Sequence, residues 1–480
     1  MGRGWLALAS ALVACGGPTD VTFRVTVPDN TPEDDTIVVY GLAQQYVMAK
    51  IGATTHEVTV AVEDLGDRFS YRYTRNGMDF VASEAIAPET GPEFFANPGR
   101  TIEPGDRELV EDVVQRWRWF PATGLGPPAP AIAAPLVLAP AGGRRFQLGA
   151  GMQDLWDPAF TTTIDATTRH LLDVGYNAVS VSVPWQVMAT DPLPKVGNAY
   201  PDLPNYPDDE TLRTQLRSLV AAGLSVQLRP QVDRLDTSVP RSDAWWDAWF
   251  VELGDMMVHF AEIAREEGVT SFAFYPTGHH PHPPPNADAR WRALVARVRG
   301  TFAGPVGVIL VGFSDQAGTQ YVIPDPPMTP SPDAFDFLVF DTFGAIDLRG
   351  DASDADLVAG AGVMLDRVAA VASSASLPVI VVPGYAAVAG SWRGSSFYSI
   401  DIYDATFGGE QQWQQGRYTS SPVDQARTID AFLRAAASRP WVTGLIPFGY
   451  WNMDMPLEPG MSTRRLATEG VLERWIGAQP

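Results

Sequence analysis

From Arg144 to the C-terminus, strand-like and helix-like patterns alternate, and this alternation restricts the fold more than any other feature. The strand-like runs read FQLGAGM, AVSVSVPW, SVQLRPQVD, SFAFYPTG, VGVILVGF, FDFLVFDTF, PVIVVPGY and VTGLIPFGYWN. Helical patterns separate them, among them TIDATTRHLLDVG, DDETLRTQLRSLVAAG, WWDAWFVELGDMMVHFAEIAREEG and DQARTIDAFLRAAASRP. Several end in glycine, which stops a helix by accepting the left-handed conformation that other residues resist. Eight strand–helix units in a row predict an α/β protein built as a (β/α)8 TIM barrel over residues 146–478. A doubly wound open sheet is disfavoured, because no strand leads into a GxGxxG turn.

The barrel occupies only part of a 480-residue chain whose composition is 45% hydrophobic, more than one ordinary domain needs. Residues 20–121 read differently. VTFRVTV, TIVVYGL, HEVTVAV and FSYRYTR alternate apolar and polar residues, and PDNTPEDD and EDLGD break them apart. Short strands at this spacing predict a β-sandwich. Residues 122–145, which take in all but the first residue of PATGLGPPAPAIAAPLVLAPAGG, are rich in Pro, Ala and Gly and read as a semi-stiff linker. The formal charge of −22 would repel a phosphate backbone, so nucleic acid is not an expected partner.

Residues 1–15 carry Arg3, then a short apolar run from Trp5 to Ala14, too short to span a bilayer. The run ends in Leu12-Val13-Ala14-Cys15, and Cys15 is the only cysteine of the chain. This resembles a bacterial lipobox, which implies lipidation at Cys15. The expectation is a membrane-anchored, extracytoplasmic protein of the cell envelope, whose fold uses no disulfides. An ordinary signal peptide with a cysteine at its cleavage site is the other reading.

In a TIM barrel, function collects at the carboxyl ends of the strands. In strand order these ends offer Gln153 and Asp154; Trp185; Arg229, Gln231 and Asp233; Thr277, His279 and His280; Ser314 and Asp315; Asp341 and Thr342; Tyr385; and Tyr450, Trp451, Asn452 and Asp454. Taken singly, each reads as a loop polar group or a core aromatic. Their convergence points to carbohydrate, since aromatic faces stack on sugar rings while acids and amides bind hydroxyls.

GAGMQDLW, GYNAVSVSVPWQVMA and AAGLSVQLRPQVD resemble the opening of glycoside hydrolase family 113, a group of β-mannanase-type barrels. FDFLVFDTF and RPWVTGLIPFGYWN extend the resemblance over most of Phe146 to Gly477. It implies two glutamates facing each other, an acid/base after strand four and a nucleophile at the end of strand seven. Retaining hydrolysis needs two such carboxyls about 5 Å apart. Here strand four runs into Thr277-Gly278-His279-His280, and strand seven ends in Val382-Pro383. Neither expected position carries a carboxyl. Asp341 matches an aspartate of the family pattern, with a binding or orienting role. Asp341 and His279 are therefore the candidates to replace the lost chemistry, with Asp233, Asp315, Asp454 and Glu410 as further carboxylates.

The N-terminal segment resembles starch-binding, family 20-like carbohydrate modules, on VTFRVTVPDNTPEDDTIVVYG, FSYRYTRN and VEDVVQRWRWF. Where those modules place a sugar-stacking tryptophan, this chain reads GLAQQYVMAKIG, with Tyr46 the only aromatic. Three readings thus stand open. The first is an envelope lipoprotein whose barrel binds, and in one version hydrolyses, a polysaccharide. The second is a structural or protein-interaction lipoprotein that keeps only the scaffold. The third is a metal-dependent hydrolase using His279, His280 and His282. No cofactor is expected.

Overall fold

The computed structural model describes residues 18–41, 44–77, 82–86, 99–106, 108–124, 128–152, 159–198, 208–233, 239–275, 286–314, 321–322, 331–373, 376–397 and 415–480. The N-terminal part forms two four-stranded sheets. One carries β1 (Asp20–Thr26), β4 (Ala49–Lys50), β5 (Thr55–Ala61) and β8 (Leu109–Val113) in the order β4-β5-β1-β8. The other orders β3 (Gln44–Val47), β2 (Ile37–Gly41), β6 (Phe69–Arg75) and β7 (Arg100–Ile102). Period-two alternation puts Val21, Phe23 and Val25 of one sheet and Val39, Tyr71 and Tyr73 of the other into a shared core. The hydroxyls of Tyr71 and Tyr73 both donate to Asp112 Oδ2, at 2.8 and 3.0 Å, which ties the sheets together.

The second part is a closed barrel. Its strands are β9 (Gln147–Met152), β10 (Ala178–Ala189), β12 (Ser225–Asp233), β13 (Ser271–Phe274), β14 (Val306–Ser314), β16 (Phe337–Thr342), β17 (Val379–Pro383) and β18 (Val442–Leu445). All eight neighbouring pairs are parallel, and the β9–β10 pairing completes the circle. Two short strands, β11 (Lys195–Gly197) and β15 (Tyr321–Val322), pair antiparallel with β10 and β14. The eight strands fall on the eight runs read from the sequence, several of them trimmed at one end or both.

Helices α1 (Ala159–Val174), α2 (Asp209–Ala221), α3 (Asp243–Glu266), α4 (Ala287–Arg299), α5 (Asp354–Ser373), α6 (Pro422–Ala437) and α7 (Ala467–Gly477) surround the barrel. Asp208 and Ser242 cap α2 and α3 by accepting the amides of Thr211 and Trp245. Gly175, Gly223 and Gly268 follow α1, α2 and α3 with φ of 91°, 79° and 73°, so the glycine stops act as the sequence implies. The fifth unit differs from the expected pattern. Among the described residues between β14 and β16 there is only β15 and a 3-10 turn at Pro332–Ala334.

Residues 128–145 pack along the helices rather than spanning open space. Arg474 and Arg434 donate to the carbonyls of Pro130 and Ala133 at 2.6 Å each. Farther along, the Ala141 amide donates to Pro440 O at 2.7 Å.

The sandwich docks on the loop after strand eight. Arg75 is fully buried and donates to Asp35 Oδ2 at 2.7 Å and to the Asp454 carbonyl at 2.6 Å. The Leu457 amide donates to Trp119 O, and Trp119 joins Met453, Met455 and Met461 in one apolar cluster. On the barrel side, the Asp454 carboxylate accepts from Arg464 at 2.7 Å and from Arg465 at 3.2 Å. Burial alone would raise the Asp454 carboxyl, but the two guanidiniums outweigh it and hold it at about 2. A folded-state value below the unfolded one stabilises the fold above about pH 4, and that contribution disappears as pH falls towards 2. We expect Asp454→Asn to cost about 2 kcal/mol at pH 6, with the difference from the parent chain closing between about pH 4 and 2. Thermal unfolding of both proteins across that range checks it; a pH-independent difference would refute it.

Candidate functional site

Which way a strand residue points decides whether it can reach the mouth. In β10, Val179, Val181 and Val183 pack outward into the large core under the helices. Ser180 and Ser182 therefore face the barrel axis. In β12 the outward residues are Val226, Leu228 and Val232, which leaves Gln227, Arg229 and Gln231 inside. The opposite wall is apolar, built by Ala273, Ile309, Phe337, Val339, Ile380, Val382 and Ile446. Gly151 of β9 also faces in. A Cβ there would lie 2.6 Å from Pro447 O, so glycine lets the exit of strand eight lie against β9.

Arg229 and Asp341 meet across this interior in direct contact between Nη2 and Oδ2. They are 2% and 1% exposed. Burial pushes the Asp341 carboxyl above the usual carboxylate range, against the pull of Arg229. Arg229 Nε and Nη1, Asp341 Oδ1, both amide atoms of Gln227 and the hydroxyls of Ser180 and Ser182 are buried without hydrogen-bond partners among the described residues. In register, Asp341 stands beside Val311 on one side and Val382 on the other. Val382, one of the two strand-seven residues, with Pro383, where the resemblance implies a nucleophile, is fully buried and faces the axis.

The remaining candidates divide sharply. Trp185 points outward and packs edge-on against Phe260 of α3, with ring centroids 5.2 Å apart. Tyr385 also points outward; its hydroxyl donates to Gly344 O at 2.6 Å and its ring lies against Phe432 of α6. Tyr450 is buried, donates to Glu469 and packs on Tyr176. As sugar-contacting groups Tyr385 and Tyr450 are corrected to core residues, each 1% exposed, while Trp185 lies half-buried on the helix side. Asn452 is buried, with its carbonyl accepting from Thr167 and Arg464 and its side-chain amide unpartnered among the described residues. Asp454 belongs to the interdomain network. Trp451 is half-buried among the methionines of the mouth.

Gln231 faces the axis and is half-buried. Asp233 ends β12, and its side chain lies outside the described residues. Cys15, Asp154, His279, His280, His282, Asp315 and Glu410 also lie outside them, as do Gly278 and Thr277. Among the described residues, no cluster of three or more His, Cys, Asp or Glu could hold a metal ion.

Two mouth residues escape the sequence reading. Tyr275 follows β13 and packs into the apolar wall of the interior. Glu458 is buried in the strand-eight loop, accepting from Trp451 Nε1 at 3.3 Å and from the Gly460 amide at 2.7 Å. Its only sequence signal is its position, as the one glutamate between Gly449 and Leu466.

Residues 198–310 match Glycoside Hydrolase Family 113, just under a quarter of the chain. Two curated relatives are amylopullulanases. The one from Thermoanaerobacter thermohydrosulfuricus is 31% identical over 111 residues, 22% of this chain and 7% of that one. The one from Thermoanaerobacterium thermosulfurigenes is 36% identical over 115 residues, 22% of this chain and 6% of that one. The chain thus spans under a tenth of the length of the relatives it matches. Among solved structures, a GH113 beta-1,4-mannanase is 18% identical, covering 70% of this chain and 98% of its own, at a TM-score of 0.48. The GH113 beta-mannanase AaManA from Alicyclobacillus acidocaldarius in complex with ManMIm is also 18% identical, covering 72% and 98%, at 0.48. With its closed parallel barrel, the chain is a glycoside-hydrolase-like TIM barrel preceded by two further sheets.

A buried ion pair leaves a clear mutational signature. Asp341→Ala should destabilise the protein by about 3–5 kcal/mol, because it strands the Arg229 charge. Replacing both partners, as Arg229→Met with Asp341→Leu, should recover most of that loss. Denaturant unfolding of the three variants measures it, and a double variant as unstable as Asp341→Ala would contradict it.

Proposed function

We propose that the barrel binds a polysaccharide at its carboxyl face and does not hydrolyse it by the two-glutamate route. One observation carries the reading. Val382 holds the inward place at the end of strand seven, and the adjacent carboxylate, Asp341, is tied to Arg229. Retaining hydrolysis needs one carboxylate to attack the anomeric carbon and a second carboxyl to protonate the leaving oxygen. Valine can do neither, and Asp341 is held by a cation on its inner side. The match over residues 198–310 supports carbohydrate as the ligand class. Trp451, half-exposed beside the buried Glu458, supplies an aromatic edge at the mouth where a sugar ring can rest.

The sandwich is read as a starch-binding-module-like domain that has lost its own sugar platform. Trp117 is 1% exposed and donates to Thr31, while Trp119 packs into the interface with the barrel. Tyr46 is half-exposed on β3, edge-on to Phe69. We therefore assign glycan contact to the barrel. Lipidation at Cys15 would hold the whole at the bacterial cell envelope. Cys15→Ala should then move the protein from the detergent phase to the aqueous phase on Triton X-114 partition; no change would remove the anchor.

Protein lacking residues 1–15 should release no reducing ends from mannan, xylan or glucan. The same panel in affinity electrophoresis should retard it, and Trp451→Ala should weaken the retardation several-fold. Turnover on any glycan would overturn the non-hydrolytic reading. Absence of retardation on every glycan would favour a scaffold that serves protein interaction alone.

A further inference from the structure

The amino-terminal pole of the barrel holds a pocket of about 750 Å³, at the end opposite the mouth. Arg144 precedes β9, Pro378 precedes β17 and Trp441 precedes β18, so three adjacent strands deliver residues to one spot. The last turns of α5 form a wall of small residues, Ala369, Ala370 and Ser373. This pole of a TIM barrel normally serves stability and is packed accordingly. Here small side chains leave a cavity within the size range of small-molecule sites.

Its polar groups are few and set in place. Arg439 grips Asp366 with two bonds of 2.8 Å, from Nε to Oδ1 and from Nη2 to Oδ2. The pair fixes the carboxylate below its ordinary range, ionised, yet leaves it 64% exposed at the pocket edge. Arg144 is exposed and makes no ion pair among the described residues. It also borders a neighbouring pocket of about 380 Å³ that includes Asn177 and Arg145. Trp441 is half-buried and is one of the residues that line the cavity.

We infer that this pole is a second carbohydrate-binding site. An indole offers the apolar platform that a sugar ring needs. A fixed carboxylate accepts from ring hydroxyls, and a free guanidinium donates to them. Arg439 already neutralises Asp366, so the pair offers hydrogen-bonding groups rather than net charge, and a hydroxyl-rich ligand with one apolar face fits. The inference rests on the glycan reading of the barrel for its ligand class, but not on the mouth residues. A chain gripped at both poles would be held by two sites on one rigid body, which raises avidity without any new contact.

The test is isothermal titration of the full chain with mannohexaose and with maltohexaose. Two sites per chain are expected for the glycan that binds. Ala370→Trp, at an exposed helix position, fills the pocket and should weaken one site at least tenfold. Arg144→Glu should weaken the same site, and Trp451→Ala only the other. If Ala370→Trp and Arg144→Glu leave the titration unchanged while Trp451→Ala abolishes it, the polar pocket is overturned and the mouth reading survives. If the two pocket variants lose the binding and Trp451→Ala does not, the mouth reading falls instead. No binding of either oligosaccharide by the parent chain would overturn both.

Discussion

The structure depends on the closure of eight parallel strands, because a parallel sheet must bury both faces and a closed one exposes no edge. Closure sorts every strand residue into one of two environments. Outward residues meet the helices and are almost wholly apolar, as in Val179, Leu228, Val308 and Leu338. Inward residues meet each other across a narrow interior. There the chain departs from an apolar filling chiefly on two adjacent strands, with Ser180, Ser182, Gln227 and Arg229. The Arg229–Asp341 contact is the consequence. A guanidinium buried in this space requires a counter-charge, and Asp341 is the inward residue of the strand across from it.

The same sorting bears on chemistry. A carboxylate at the end of strand seven would stand next to Asp341 in the ladder. With Val382 there, the inner rim at strands five to seven becomes Val311, Asp341 and Val382, two apolar groups flanking one neutralised acid. Above it, the strand-eight loop and the sandwich form a methionine- and aromatic-rich cover, pinned by Arg75, Asp454 and Arg464. The sandwich is thus part of the mouth's architecture, not a module swinging on a tether.

Much of the fold was legible from local pattern. Alternation located four of the eight sandwich strands, the apolar runs located the eight barrel strands, and Gly175, Gly223 and Gly268 marked helix ends. The site was legible only in part. Asp341 and Arg229 were singled out as separate strand-end residues, and their contact joins positions 112 apart in the chain. Trp185, Tyr385 and Tyr450 looked like sugar-facing aromatics because they sit at strand exits. Strands buried on both faces carry apolar residues on both, so the pattern does not say which face an exit residue takes. Glu458 carried no periodic signal at all, since it lies in an irregular loop.

Composition and periodicity by themselves determined the class of fold and the order of its parts. Those are properties of residue type and spacing, which need no knowledge of distant neighbours. Only the tertiary structure decided which strand-end groups face the axis, which acid is neutralised, and where the sandwich presses on the barrel. It also revealed the open pocket at the opposite pole. Each of these is set by the closing of the barrel and by contacts between residues far apart in sequence, where local pattern carries no information.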